Sequence, residues 1–242
     1  MPEFKHLDLA DARFHDLELR RASFWKIRAR GVWIGEVELD GQIEGLRING
    51  VDVGPLIEAE LDRIHPQRGL MRPTDVEGFR EAWSVLGTLW AGTLERARSL
   101  PAEKLHERVD GEWSFIQTLR HLLFATDIWI SRAVLGDPRP WHALSLPFDE
   151  MSPDDEVPWD RDAQPSLDEL LQLRAKRAAT VRSVLDNLTP QHLGSLTEPV
   201  AGPGYPPADR YPVSECLLTV LNEEWQHRLY AERDLDRLGS SA

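Results

Sequence analysis

The chain is poor in several things, and each shortage removes a class of protein. It has one cysteine, Cys216, so no internal disulfide holds it together. It has no apolar run near the ~18 residues that a membrane-spanning helix needs, and no signal-like apolar block opens it. A soluble protein of a reducing cytoplasm is the expectation. Basic residues are scarce: 28 Lys and Arg stand against 41 Asp and Glu, for a net charge of -13. That balance argues against a nucleic-acid partner, which needs a basic face, and against anionic membrane surfaces. What the chain does have is length and tryptophan. Its 242 residues are enough to bury a core without disulfides. Nine Trp hint at an aromatic-rich cavity.

The N-terminal stretch carries a period of five. Phe4, Leu9, Phe14, Leu19, Phe24, Ala29, Ile34 and Leu39 form one register. Leu7, Ala12, Leu17, Ala22, Ile27, Val32 and Val37 form a second, two residues earlier. Neither a helix nor a strand repeats every five residues, and a fixed short period marks a solenoid. The stretch resembles the pentapeptide-repeat family, which implies a right-handed β-helix with both apolar registers turned inward. It supplies only about two coils, fewer than stacked repeats need to stand alone. Long acidic β-helices of that family imitate duplex DNA. Residues 1–60 hold 8 Lys and Arg against 12 Asp and Glu, a balance of only -4, so mimicry is disfavoured.

Leu46, Ile48, Val51 and Val53 around Asn49-Gly50 predict a short hairpin that ends at Pro55. From residue 74 the apolar period becomes helical. A first long helix starts at a Thr74/Glu77 capping box and stops at Pro101. A second runs from about Glu112 to Leu135 and ends at Gly136. A third runs from Ser166, with Glu169 three residues on, to about Leu188. A fourth runs from near Pro212 to Leu238. The expected organisation is a β segment over 1–60, a polar connector over 61–73 and a four-helix bundle over 74–242. The fold class is mainly α. Two long loops interrupt the bundle, and loops of that length are commonly functional.

On a helical wheel, Glu223 and His227 fall among the apolar positions Cys216, Val220, Ala231 and Leu238. Thr219, Asn222, Gln226, Arg233 and Arg237 take the opposite, water-facing side. A carboxylate on the inward side is costly unless paired or ligating. His121 stands in the middle of the second helix, which is apolar nearly all round and therefore buried. Facing helices build metal sites in bundle cores, so His121, Glu223 and His227 are a candidate three-ligand set. Two histidines and one carboxylate suit catalytic zinc or non-haem iron(II). The same pattern also fits an ordinary i,i+4 Glu–His pair beside a hydrogen-bonded core histidine.

The segments GEWSFIQTLRHLLFATDIW and NEEWQHRLYAERDLDRL carry a resemblance to the DinB/YfiT-like superfamily. There a Trp opens the second helix, a His follows some eight residues on, and a His-x-x-x-His pair sits on the fourth. Trp113, His121 and His227 match; Glu223 stands where a histidine is expected. The resemblance implies a four-helix bundle, a divalent metal such as zinc or nickel, and dimers. It also implies transfer of a low-molecular-weight thiol, mycothiol or bacillithiol, onto small electrophiles. A carboxylate at 223 favours a harder metal, manganese or iron, over zinc-thiolate chemistry. It is equally compatible with a non-catalytic ligand-binding or interaction module that has lost its metal.

Eight other side chains are candidates for the site. Cys216 reads as a buried structural thiol. His142, His106 and His192 read as loop or surface residues. Asp234 reads either as support for His227 or as the partner of a nearby arginine. Trp141, Phe148 and Trp159 read as a lid or as pins for their loop.

Overall fold

The structure is a computed structural model. It describes residues 24, 26–39, 41, 43–149, 151–152, 154 and 156–240. The chain divides into two units, Met1–Glu44 and Gly45–Ala242.

In the first unit, the opening half of the five-residue repeat lies outside the described residues. Over 26–39 no strand forms. Phe24, Ile27, Val32, Ile34, Val37 and Leu39 are all exposed, where a β-helix would turn them inward. The expected two-coil β-helix is therefore not formed over the described residues. Inward registers are buried only by stacking one coil on the next, and two coils give each other a single neighbour.

The second unit opens with the predicted hairpin. Strands β1 (Arg47–Ile48) and β2 (Val51–Asp52) pair antiparallel, Arg47 opposite Asp52 and Ile48 opposite Val51. Asn49 and Gly50 both take positive φ, as a tight two-residue hairpin turn requires. Helix α1 (Gly54–Ile64) follows, and a 3-10 turn spans Pro66–Met71. The stretch expected as a polar connector is thus largely helical. Arg68 and Arg72 tie it back to Glu58 and Asp62 on α1, and Met71 is buried.

Four long helices make the bundle: α2 (Val76–Arg98), α3 (Phe115–Thr126), α4 (Leu167–Asp186) and α6 (Val213–Ser240). A single-turn helix, α5 (Pro190–Leu193), lies between the last two. Helix α2 is capped by Asp75, which accepts from the Gly78 amide at 2.8 Å, and not by Thr74. Ser114 and Gln117 form a full capping box at α3, so that helix starts three residues later than expected. Beyond Thr126 the helix continues as a π-helix, Asp127–Val134, and stops at Gly136 with φ +77°. Ser166 caps α4 as predicted.

Helices α4 and α6 each pack against both α2 and α3. The core falls into two apolar clusters. One gathers Phe79, Leu86, Ile130, Val184, Leu217 and Trp225. The other gathers Trp90, Phe115, Leu119, Leu123, Leu170 and Leu235. Each fully buried side chain of this size contributes roughly 1.5–3 kcal/mol. Buried ion pairs also join the helices: Asp127 pairs with Arg177, and Glu224 with Arg174. No helix among the described residues is long and apolar enough to cross a membrane.

Candidate functional site

A further buried-to-half-buried polar group is formed by His121, Glu223 and His227. One helical turn separates Glu223 from His227, so both project from the same face of α6. That face packs on α3, where His121 lies among buried apolar neighbours. The Nε2 of His121 is 3.3 Å from Glu223 Oε2, and the Nε2 of His227 is 3.1 Å from the same oxygen. The two imidazole centroids are 4.9 Å apart. One ligand atom from each residue falls within 4.8 Å of the others. Side-chain exposure is 8% for His121, 18% for His227 and 28% for Glu223, so the triad reaches solvent through its carboxylate. Trp113 covers another side, 4.6 Å from the His121 ring and stacked at 5.9 Å and 19° on His227.

The Nδ1 of His121 is 3.0 Å from the Leu146 carbonyl oxygen. A carbonyl only accepts, so Nδ1 carries the proton. In a neutral imidazole Nε2 then presents a lone pair, and here it faces a carboxylate oxygen. Two acceptors at that distance repel unless a positive charge stands with them. That charge is either a proton on the imidazole or a cation. A histidine that donates its far N–H to a backbone carbonyl is oriented as metal-ligating histidines are. Around a tetrahedral ion with bonds of about 2.0–2.1 Å, neighbouring donors sit about 3.3–3.4 Å apart. The 3.3 Å and 3.1 Å spacings from Glu223 match two edges of such a donor set, while the third, between the histidines, is bounded at 4.8 Å. Burial alone would raise the Glu223 carboxyl. The hydrogen bonds and charge of His121 and His227 outweigh it and bring the carboxyl down to about 2.

The long loop over residues 137–165 shapes this corner, and a residue absent from the sequence reading holds it. Arg120 is 1% exposed on a helix read as apolar nearly all round. Its guanidinium donates to the carbonyls of Leu144 (2.9 Å), Arg161 (3.1 Å), Ala163 (2.7 Å) and Asp160. The Leu146 amide returns a bond to the Arg120 carbonyl at 3.1 Å. Arg132, twelve residues on and equally buried, does the same between the start of this loop and the second loop. It donates to Pro138, Val200, Gly202 and Pro206. Asp127, also 1% exposed, accepts from Arg177 and Ser145, while burial pushes its carboxyl up. The available signal was a charged residue inside an apolar helix. Such a residue is tolerated only when fully bonded.

The other candidates resolve as follows. Cys216 is fully buried, and burial pushes its thiol to about 11, as suits a structural residue. Asp234 pairs with Arg233 at 2.8 Å. His142 accepts from the Leu144 amide at 3.1 Å within its own loop. His192 is exposed and His106 half-buried. Phe148 and Trp159 contact Phe124 on α3, and Trp141 packs on Trp159, so they pin the loop. A surface depression of about 590 Å³, lined in part by Val134, His192, Thr197 and Val213, lies at the other end of α3 and α6. Twelve residues of helix, about 18 Å, separate His121 from Ala133 on its wall.

A protein-family model described as the DinB superfamily matches residues 86–231, more than half of the chain. The match covers α3 and the part of α6 that carries Glu223 and His227. No curated protein and no solved structure matches.

Proposed function

Because the chain belongs to the DinB superfamily, we propose that it is a metal-dependent enzyme acting on a small molecule. Its ligands to a divalent cation are His121, Glu223 and His227. One observation carries this reading. His121 commits its Nδ1 proton to Leu146 and turns the Nε2 lone pair toward the Glu223 carboxylate.

A divalent cation held there supplies Lewis acidity, which lowers the pKa of a thiol or water brought to it. The reaction class we assign is transfer of a low-molecular-weight thiol onto an electrophile. The protein's own groups set the terms. Glu223 contributes one negative charge, so the loaded site keeps a single positive charge that one thiolate or hydroxide cancels. The carboxylate hardens the donor set and favours manganese or iron over softer ions. Trp113 closes one side, leaving the carboxylate side for substrate.

A second reading has its own support. Two protonated imidazoles would satisfy Glu223 without any metal, and its carboxyl brought down to about 2 is consistent with that pairing. The protein is then a non-catalytic ligand-binding module. Elemental analysis of protein purified without a histidine tag separates the two, together with calorimetric titration of manganese, zinc and nickel. The enzyme reading expects a single metal equivalent that His227→Ala abolishes. No bound metal, with thermal stability unmoved by all three ions, leaves the module.

A further inference from the structure

We propose that Arg120 is the positioning residue of the triad, acting through the loop it holds. The proposal rests on the metal-site reading for its affinity test, and on geometry alone for the rest. The guanidinium draws Leu144 from one arm of the 137–165 loop and Asp160, Arg161 and Ala163 from the other onto α3. Leu146 lies two residues beyond the first of these. Its amide bonds the Arg120 carbonyl, and its own carbonyl receives the His121 Nδ1 proton. The residue before His121 thus places the acceptor that fixes the tautomer and ring direction of His121. Loss of the clamp leaves Leu146 held by that one backbone bond, which loosens the acceptor that points His121 Nε2 at Glu223.

Arg132 is a matched control. It lies on the continuation of the same helix, is equally buried, and likewise donates only to carbonyls. Apart from Pro138, eight residues before Leu146, its partners lie outside the 137–165 loop, and among the described residues they make no hydrogen bond to the triad, so a purely structural role predicts the same result for both arginines.

The test compares wild type, Arg120→Met, Arg120→Lys and Arg132→Met. Zinc affinity is measured by calorimetry, and the His121 tautomer by nitrogen NMR at alkaline pH, where imidazole is neutral. Arg120→Met should weaken zinc binding roughly 10- to 100-fold, as loss of outer support does at metal sites. It should also give a mixed His121 tautomer, with Arg120→Lys partly restoring both. Arg132→Met should keep affinity and tautomer. Equal effects from the two methionine variants, or a fixed tautomer in Arg120→Met, overturn the proposal. Wild type that binds no zinc removes the metal reading, and the tautomer comparison still decides Arg120. Should Arg120→Met fail to fold, hydrogen exchange on wild type replaces it. Zinc should then slow exchange of the Leu146 amide and leave the Thr197 amide, bonded to Tyr211, unchanged. An unchanged Leu146 amide overturns the proposal.

Discussion

Glu223 and Glu224 are consecutive residues on α6, and their surroundings differ in kind. Glu224 is 3% exposed and meets Arg174 at 2.8 Å, while the Arg174 guanidinium also lies 5.0 Å over the Trp90 ring. An arginine is a permanent cation, so that pair is complete at every ordinary pH. Glu223 meets two histidines, which are cations only when protonated. The first carboxylate is settled by the fold. The second is settled by whatever charge reaches it from outside, a proton or a metal.

The largest break in this comparison is expected at the settled pair. Arg174→Met strands a buried carboxylate and should cost about 3–5 kcal/mol by urea denaturation. At pH 8, where imidazole is neutral, Glu223→Gln should cost under about 1 kcal/mol. Similar losses at the two sites would end the contrast.

Acid should expose the second site next. The folded Glu223 carboxyl lies near 2 against an ordinary 4.5. Its stabilisation is therefore complete above about pH 4.5 for as long as the imidazoles keep their protons, and it disappears as pH falls toward 2. Glu223→Gln should flatten that part of the stability curve by at most about 3 kcal/mol, an upper bound because the side chain is partly open to water. Zinc binding sharpens the comparison further. Glu223→Gln should weaken it about 10- to 100-fold, or about 1.4–2.7 kcal/mol, by calorimetry. Glu224→Gln should leave it within about threefold. The smallest effect is expected at Cys216. Cys216→Ala should lower stability by about 1 kcal/mol in thermal melts and leave zinc affinity unchanged.

Much of the bundle was legible because apolar spacing and capping residues are local signals. Ser166 and Gly136 marked helix ends where the structure has them. The inward placement of Glu223 and His227 followed from one helical wheel, and His121 from the apolar run around it. Other features depend on groups without a side-chain signature. Leu146 acts through its carbonyl, which any residue would offer. Arg120 and Arg132 carry no sequence sign of their partners, which are backbone atoms of the loops. Asp75 displaced Thr74 as a cap since either residue can serve and only the backbone path decides. The five-residue repeat is a sequence regularity whose described half, from Phe24 to Leu39, stands exposed.

The arginine clamps also have a consequence for redesign. They grip main-chain oxygens only, so they fix the path of each loop without reading its side chains. Over residues 137–165 that separates scaffold from composition. Trp141, Phe148 and Trp159 stay as pins and Arg120 keeps Leu144, Asp160, Arg161 and Ala163 where they are, while the exposed Ala143, Ser152 and Pro158 can be exchanged. A library confined to those exposed positions would vary the loop surface on a frame that needs no rebuilding.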